Sequence, residues 1–259
     1  MCGIHFAICT ARPVRPDDAV VQLLKSRGPD SFQQQEVIVN VRNDNCPSGE
    51  ARQYHLSFSS SVLSLRGYHT AVQPFLDKET GSILCWNGEA WKIGDAKVSA
   101  NDGEIVFNLL LRTAPSTARG RLSQDEVNSR IRNIIAAFDS IRGPYAFVHF
   151  DAPSGVVFFG RDCLGRRSLL TRTDAAGIVF ISSVCTGTWE EGWHEIEADG
   201  IYAMDVSKCL SVQSALAGVC KSRNGVAGVQ GPTTWHISRI SQRPQNSDTT
   251  ALVGGLPWA

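Results

Sequence analysis

Apolar residues recur along this chain in two rhythms. In the first they crowd into short runs rich in β-branched and aromatic residues: GIHFAIC (3–9), EVIVNV (36–41), SILCW (82–86), YAFVHF (145–150), GVVFFG (155–160) and GIVFIS (177–182). Gly, Pro, Asn and Asp bound these runs, which predicts strands separated by turns. In the second rhythm apolar residues return every three to four positions, which predicts helices. Residues 17–26 carry Val20, Val21, Leu23 and Leu24; residues 102–112 carry Ile105 and Leu109; residues 123–138 carry Val127, Ile131, Ile134, Ile135 and Phe138 behind a Ser123/Glu126 capping box. The strands cluster instead of alternating strictly with helices, so antiparallel sheets with helices packed outside them are expected, an α+β class. Near Ser211 the texture changes. KSRNGVAGVQGPTTWHISRISQRPQNSDTT (221–250) is polar and rich in Gly, Ser, Pro and Gln. Such a segment buries too little apolar area to offset its ordering entropy. The expected organisation is a folded domain over 1–210 and a mostly disordered tail over 211–259.

Composition then narrows the setting. The 259 residues are 42% hydrophobic, enough for one sizeable core. Lys+Arg and Asp+Glu balance at 25 each, leaving no electrostatic footprint for nucleic acid or an anionic membrane. No apolar run approaches a membrane span and the first residues lack a secretory pattern, so a cytoplasmic protein is expected. The eight cysteines include no C-x-x-C pair, and most are expected to be small buried hydrophobes. His194-Glu195 is followed by Ala198 where a zinc-binding H-E-x-x-H helix needs its second histidine. Neither a metal nor a cofactor is expected.

The candidate chemistry starts at MCGI. Removal of Met1 would leave Cys2 with both a thiol, reference pKa about 8.5, and an α-amine, about 7.7–8.0. The amine can accept the thiol proton, so this single residue holds nucleophile and base without a catalytic histidine. That pairing suits acyl transfer from an amide, which also needs donors aimed at the oxyanion. SILCWNGEAW ends an apolar strand in Asn87-Gly88, a side-chain amide beside a backbone N–H that substrate can approach closely. Asn-Gly is equally a hairpin-turn signal.

MCGI, RGPD (27–30), QP (73–74), WNGE (86–89), NDGE (101–104) and GRDCLGRRSLL (160–170) stand in the order found in class II glutamine amidotransferases. Over residues 1–206 the chain resembles the glutaminase domain of asparagine synthetases, and within that group the asparagine synthetase domain-containing proteins, reading LSLRG, FFGRD and GRRSLL. The resemblance implies an N-terminal nucleophile hydrolase fold, an αββα sandwich of two antiparallel sheets between helical layers. It also implies hydrolysis of L-glutamine to glutamate and ammonia. Carried over residue by residue, it makes Cys2 the nucleophile and the Asn87 amide and Gly88 N–H the oxyanion hole. Asp102, with Glu89, would hold the substrate ammonium, the Leu63 backbone would line the pocket, and Arg27 would steady the Cys2 loop. Asp102 can instead be a helix N-cap.

Two departures qualify this. Aligning SVLSLRG puts Val62 where synthetases have the arginine that clamps the substrate carboxylate, and valine cannot make that bidentate pair. Arg66, four residues later on the same strand face, is an alternative clamp or a solvated strand-end arginine. The chain also lacks the Ser-Gly-Gly-x-Asp-Ser phosphate loop of the synthetase domain. The expectation is a shortened gene product, a free glutaminase domain, or a subunit supplying ammonia to a synthetase domain or subunit in trans, a polypeptide that does not make asparagine alone. A non-catalytic binding or regulatory module on the same fold is the alternative. GRDCLGRRSLL is expected to be a structural turn in which Arg161 and Asp162 satisfy buried loop groups, and the tryptophans to be core or covering layers.

Overall fold

The computed structural model describes residues 1–42, 51–113, 122–187, 189–206 and 237–242. In chain order these form β1 (Gly3–Cys9), α1 (Asp18–Arg27), β2 (Ser31–Arg42), β3 (Ala51–Val62), β4 (Phe75–Leu76), β5 (Ile83–Gly88), β6 (Lys92–Ile93) and β7 (Ala96–Lys97). Then come α2 (Asp102–Thr113), α3 (Gln124–Asp139), β8 (Ile141–Arg142), β9 (Tyr145–Asp151), β10 (Val156–Arg161), β11 (Leu170–Thr173) and β12 (Val179–Ser182). A short 3-10 turn (Trp189–Glu191), β13 (His194–Glu195), β14 (Gly200–Asp205) and β15 (Ile237–Gln242) complete them.

Two six-stranded sheets, each antiparallel throughout, carry the fold. The first has the order β13-β11-β12-β1-β3-β2 and the second β15-β14-β10-β9-β5-β4, with β7-β6-β8 as a small separate sheet. Alternation within the strands builds the layer between the sheets. Ile4, Phe6 and Ile8 of β1 and Leu56 and Phe58 of β3 meet Ile83 and Cys85 of β5, Val148 and Phe150 of β9, and Val157 and Phe159 of β10. Each such side chain, fully withdrawn from water, contributes about 1.5–3 kcal/mol. The opposite face of the second sheet presents Leu84, Trp86, Phe147 and Phe158 to Val106, Phe107 and Leu110 of α2 and Ile134, Ala137 and Phe138 of α3. On the far side α1 lays Val20 and Leu24 against β1 and β3. The layers run helix, sheet, sheet, helix, which is the αββα sandwich implied by the motif order.

The helical periodicity locates its elements within one residue. Asp17 is the cap of α1, its Oδ1 accepting from Val20 N at 2.8 Å, and Ser123 and Glu126 close the expected capping box on α3. EVIVNV is part of a longer strand in which Val37, Val39 and Val41 pack inward while Ile38 faces out. The expected tail, 211–259, lies outside the described residues except for Ile237–Gln242, which adds an edge strand to β14 with a register shift at Ile201/Tyr202. Among the described cysteines Cys9 and Cys85 are buried, but Cys163 is exposed and Cys2 and Cys185 lie between. The expectation that most are core residues is therefore not met there; Cys163 sits on a turn with nothing packed over it. Among the described residues no helix is long and apolar enough to cross a membrane.

Candidate active site

One cleft gathers Cys2, Leu63, Arg66, Asn87, Gly88, Glu89 and Asp102 from four separate segments of the chain, together with Met1, Val62, Gln73, Trp86 and Arg167. Its floor is made where the two sheets end side by side. Cys2 enters β1, Leu63 leaves β3, and Asn87-Gly88 closes β5. Gly3 lets this happen: a Cβ there would fall 2.5 Å from Ser61 Oγ and 2.8 Å from Leu24 Cδ2, so only glycine lets β1 pass so closely under α1.

Arg27, at the end of α1, holds the segment around Cys2. Its Nε donates to the Cys2 carbonyl at 3.3 Å, while a terminal nitrogen donates to Ser168 Oγ at 3.1 Å and the Ser183 carbonyl at 3.3 Å. The Cys2 thiol lies 3.9 Å from the Leu63 carbonyl, its acceptor. Burial pushes that thiol above its ordinary pKa, Asp102 adds to the rise, and the Leu63 contact, the chain's α-ammonium and Arg167 oppose it. The α-amine of Met1 sits below its ordinary value, first through burial and then through Arg27 and Arg167.

Opposite the thiol, Asn87 is 1% exposed and its Nδ2 has no hydrogen-bond partner. Buried amide donors are almost always paired, so an orphan on a residue that lines a cleft makes that residue a candidate partner for a ligand acceptor. The hairpin alternative for Asn87-Gly88 is excluded, because β5 pairs with β9 and β4 and makes no hairpin there. A Cβ on Gly88 would lie 2.6 Å from the Trp86 ring. Gln73 Oε1 accepts from Trp86 N at 2.7 Å, tying the loop after β3 to β5.

Asp102 is not the N-cap of α2. Asn101 takes that part, its Oδ1 accepting from Glu104 N at 3.1 Å. Asp102, as the first helical residue, turns inward and its Oδ2 accepts from Trp86 Nε1 at 2.9 Å and Ala90 N at 2.8 Å. Burial raises its pKa despite those two donors and the nearby Arg66. Glu89 is ion-paired to Arg167 at 2.6 Å.

Arg66 needs correction. β3 ends at Val62, so Arg66 lies in the following loop and not on the strand; half-buried, it donates to the Ala90 carbonyl at 3.2 Å and lines the cleft. Val62 is buried at the cleft edge and apolar. Arg167 was missed as a cleft residue. GRDCLGRRSLL does form a structural turn: Asp162 accepts from Tyr145 N, Leu164 N and Arg166 N, and Arg161 donates to the carbonyls of Arg167, Gly165 and Ile196. That turn also delivers Arg167 to the cleft with its buried Nε unpartnered. Of the tryptophans, Trp86 and Trp193 are buried and Trp91 is 48% exposed with Arg166 over its ring.

Comparison with known proteins places the chain among relatives. It is 33% identical over 226 residues to asparagine synthetase domain-containing protein 1 of Bos taurus and 32% identical over 224 residues to that of Homo sapiens. These alignments cover 83% and 82% of this chain and 30% of each relative, so the chain spans under a third of their length. No protein-family model matches. Among solved structures, glutamine phosphoribosylpyrophosphate amidotransferase from B. subtilis is 14% identical with TM-score 0.47, covering 79% of this chain and 47% of that one. A glutamine aminotransferase class-II domain protein from Silicibacter pomeroyi is 13% identical with TM-score 0.38, covering 80% and 95%.

Proposed function

We propose that this chain, whose curated homologues are asparagine synthetase domain-containing proteins, hydrolyses the side-chain amide of glutamine in the cleft at the head of β1. The observation that carries the reading is the buried, unpartnered Asn87 amide facing the same cleft as the Cys2 thiol and the Asp102 carboxylate.

In this reading Met1 is removed and the amine it exposes on Cys2 becomes the base. Arg27 and Arg167, which lower the Met1 amine, would lie beside the new one and favour its neutral form. The amine takes the thiol proton and sulfur attacks the carboxamide carbon. The tetrahedral oxyanion is held by Asn87 Nδ2 and Gly88 N–H, the C–N bond breaks, and the proton returns to the leaving nitrogen as ammonia. Water, deprotonated by the same amine, then cleaves the thioester to glutamate. Asp102, supported by Glu89, meets the substrate ammonium, and the Leu63 backbone lines the site. Arg66 and Arg167 stand in for the missing carboxylate clamp at Val62. Ammonia would pass to a synthetase domain or subunit, in the cytoplasmic setting expected from composition.

The buried apolar Val62 favours a second reading, a binding or regulatory module without turnover. One experiment separates the two. Purified chain, shown by intact mass to begin at Cys2, is given glutamine and hydroxylamine. The enzyme forms γ-glutamyl hydroxamate and glutamate, and Cys2→Ala forms neither. Absence of both products from the parent chain leaves only the module.

A further inference from the structure

A second cavity, of about 200 Å³, opens on the outer face of the first sheet, away from the cleft. Residues 14–17 and Val20 at the start of α1 wall one side, and Arg172, Phe180 and Trp193 the other. His5 forms its base. Its neighbours Ile4 and Phe6 pack between the sheets, so His5 faces outward, yet it is 3% exposed and neither ring nitrogen has a hydrogen-bond partner. Buried imidazoles with both nitrogens unbonded are rare in folded proteins because the desolvation goes uncompensated. The Arg172 guanidinium lies against two neighbouring rings, 5.1 Å from the Phe180 centroid and 5.2 Å from that of Trp193, whose centroids are themselves 6.3 Å apart. Its buried Nε is also unpartnered. A guanidinium resting on aromatic rings through its cation–π contacts keeps its N–H edge for a planar acceptor such as a carboxylate.

The charges around the cavity select the ligand. Arg15 is committed to Glu36 at 2.7 Å, which leaves Arg172 as the cation among the lining residues; Asp17, whose Oδ1 caps α1 through Val20 N, is the anion at the rim and brings its second carboxylate oxygen. One of each favours a ligand carrying both signs over a simple anion. The volume lies below the roughly 300–1,000 Å³ of drug-sized sites and suits a molecule of a few heavy atoms. Burial drops the His5 pKa to about 4, with Asp17 raising and Arg172 lowering it, so the ring is neutral near pH 7 and offers one donor and one acceptor.

We propose that this cavity binds a small α-amino acid as its zwitterion, carboxylate on Arg172, ammonium toward Asp17, and His5 bonded to the ligand at the base. The test uses full-length protein with isotope-labelled histidine, in an Asp102→Asn background so that the cleft does not compete. Glycine, L-alanine, L-serine and L-valine are titrated to millimolar concentration while the His5 ring nitrogens are followed by NMR, with acetate and methylamine as single-charge probes. A saturable shift with at least one amino acid and none with acetate or methylamine is expected. Arg172→Gln should weaken it at least about tenfold, the loss of one charge-assisted contact. Arg172→Lys, which keeps the cation and tests the case where Gln fails to fold, should weaken it as well. No saturable shift, an equal response to acetate, or unchanged affinity in a folded Arg172 variant overturns the proposal.

Discussion

Cutting Asn87 to alanine separates a donor kept for chemistry from one kept for the fold. A buried asparagine whose amide is bonded within the protein costs about 1–3 kcal/mol when its partner is orphaned. Here Nδ2 has no partner to orphan. The variant should therefore keep its stability within about 1 kcal/mol, a shift of about 2–4 °C in melting temperature for a chain of this size. The transition state responds differently. If Nδ2 meets the oxyanion, its loss removes about 2.7–4 kcal/mol of differential stabilisation, or roughly 10²–10³ in kcat. KM should change little, because the ground-state carbonyl makes a weaker bond than the oxyanion. The assay is glutamate release from glutamine at saturation, paired with thermal unfolding monitored by circular dichroism. An Asn87→Ala protein that turns over within threefold of the parent, or that loses activity only in step with a large fall in melting temperature, refutes the assignment of Asn87 to the oxyanion.

The other predictions concern charge. The raised pKa of Asp102, set first by its burial, means that the carboxylate protonates above the ordinary range. Substrate-ammonium binding should then fade as pH drops through that raised value, giving kcat/KM an acid limb that Asp102→Asn flattens while lowering the plateau. Arg167→Ala removes the Glu89 partner and the free Nε at the cleft, and should raise KM for glutamine about tenfold to a hundredfold with a small effect on kcat; equal KM values would remove Arg167 from carboxylate binding. Arg130 donates to both oxygens of the buried Asp151, at 3.0 and 2.7 Å. Arg130→Ala strands that charge and should cost about 3–5 kcal/mol, seen as a lower urea midpoint. Burial, the largest single influence, would raise the Asp151 pKa, but the Arg130 bonds together with His149, the Ser154 bond and the Arg130 charge hold the carboxyl below its usual value. The pair's contribution is therefore present at neutral pH and is lost as pH falls through the depressed value, so parent and variant should converge in stability toward acid.

Periodicity was a good guide wherever one face of an element meets the core and the other meets water. The three helices were legible for that reason, whereas runs such as β1, β9 and β10 were legible as continuous apolar stretches because both their faces are buried. β3 was not, and its composition says why. RQYHLSFSSSV carries Ser57, Ser59, Ser60 and Ser61, all buried, along a strand central to its sheet. The hydroxyls are spent on neighbouring backbone: Ser60 on the Gly3 carbonyl, Ser61 on the Leu24 carbonyl, and Ser57 on Val14 N. Small residues let the loop before α1, and α1 itself, lie close on this face, and their hydrogen bonds remove the desolvation penalty. A polar reading of such a strand mistakes satisfied hydroxyls for solvent exposure; the aligned SVLSLRG segment put Arg66 on the strand, which instead ends at Val62.

The site divides along the same line. Residue types that imply chemistry pick out Cys2, Asn87 and Gly88 before any geometry, and the family resemblance adds Glu89 and Asp102; all of them line one cleft. What spacing does not encode is which polar groups are already used. Asn101 and Asp102 are adjacent and both suit a helix cap, yet the one that caps frees the other to turn inward. Arg166 and Arg167 are equally alike on paper; Arg166 is absorbed by Asp162 and the Trp91 ring, whereas Arg167 crosses to Glu89 and keeps one nitrogen unbonded at the cleft. His5 in the middle of an apolar strand would ordinarily be read as a core histidine satisfied by its neighbours. The distinction between a structural and a functional polar residue here is thus a matter of remaining hydrogen-bond capacity. The unspent donors at Asn87 and Arg167 converge on one pocket and those at His5 and Arg172 on another, which makes ligand acceptors, rather than further protein groups, the economical partners for both sets.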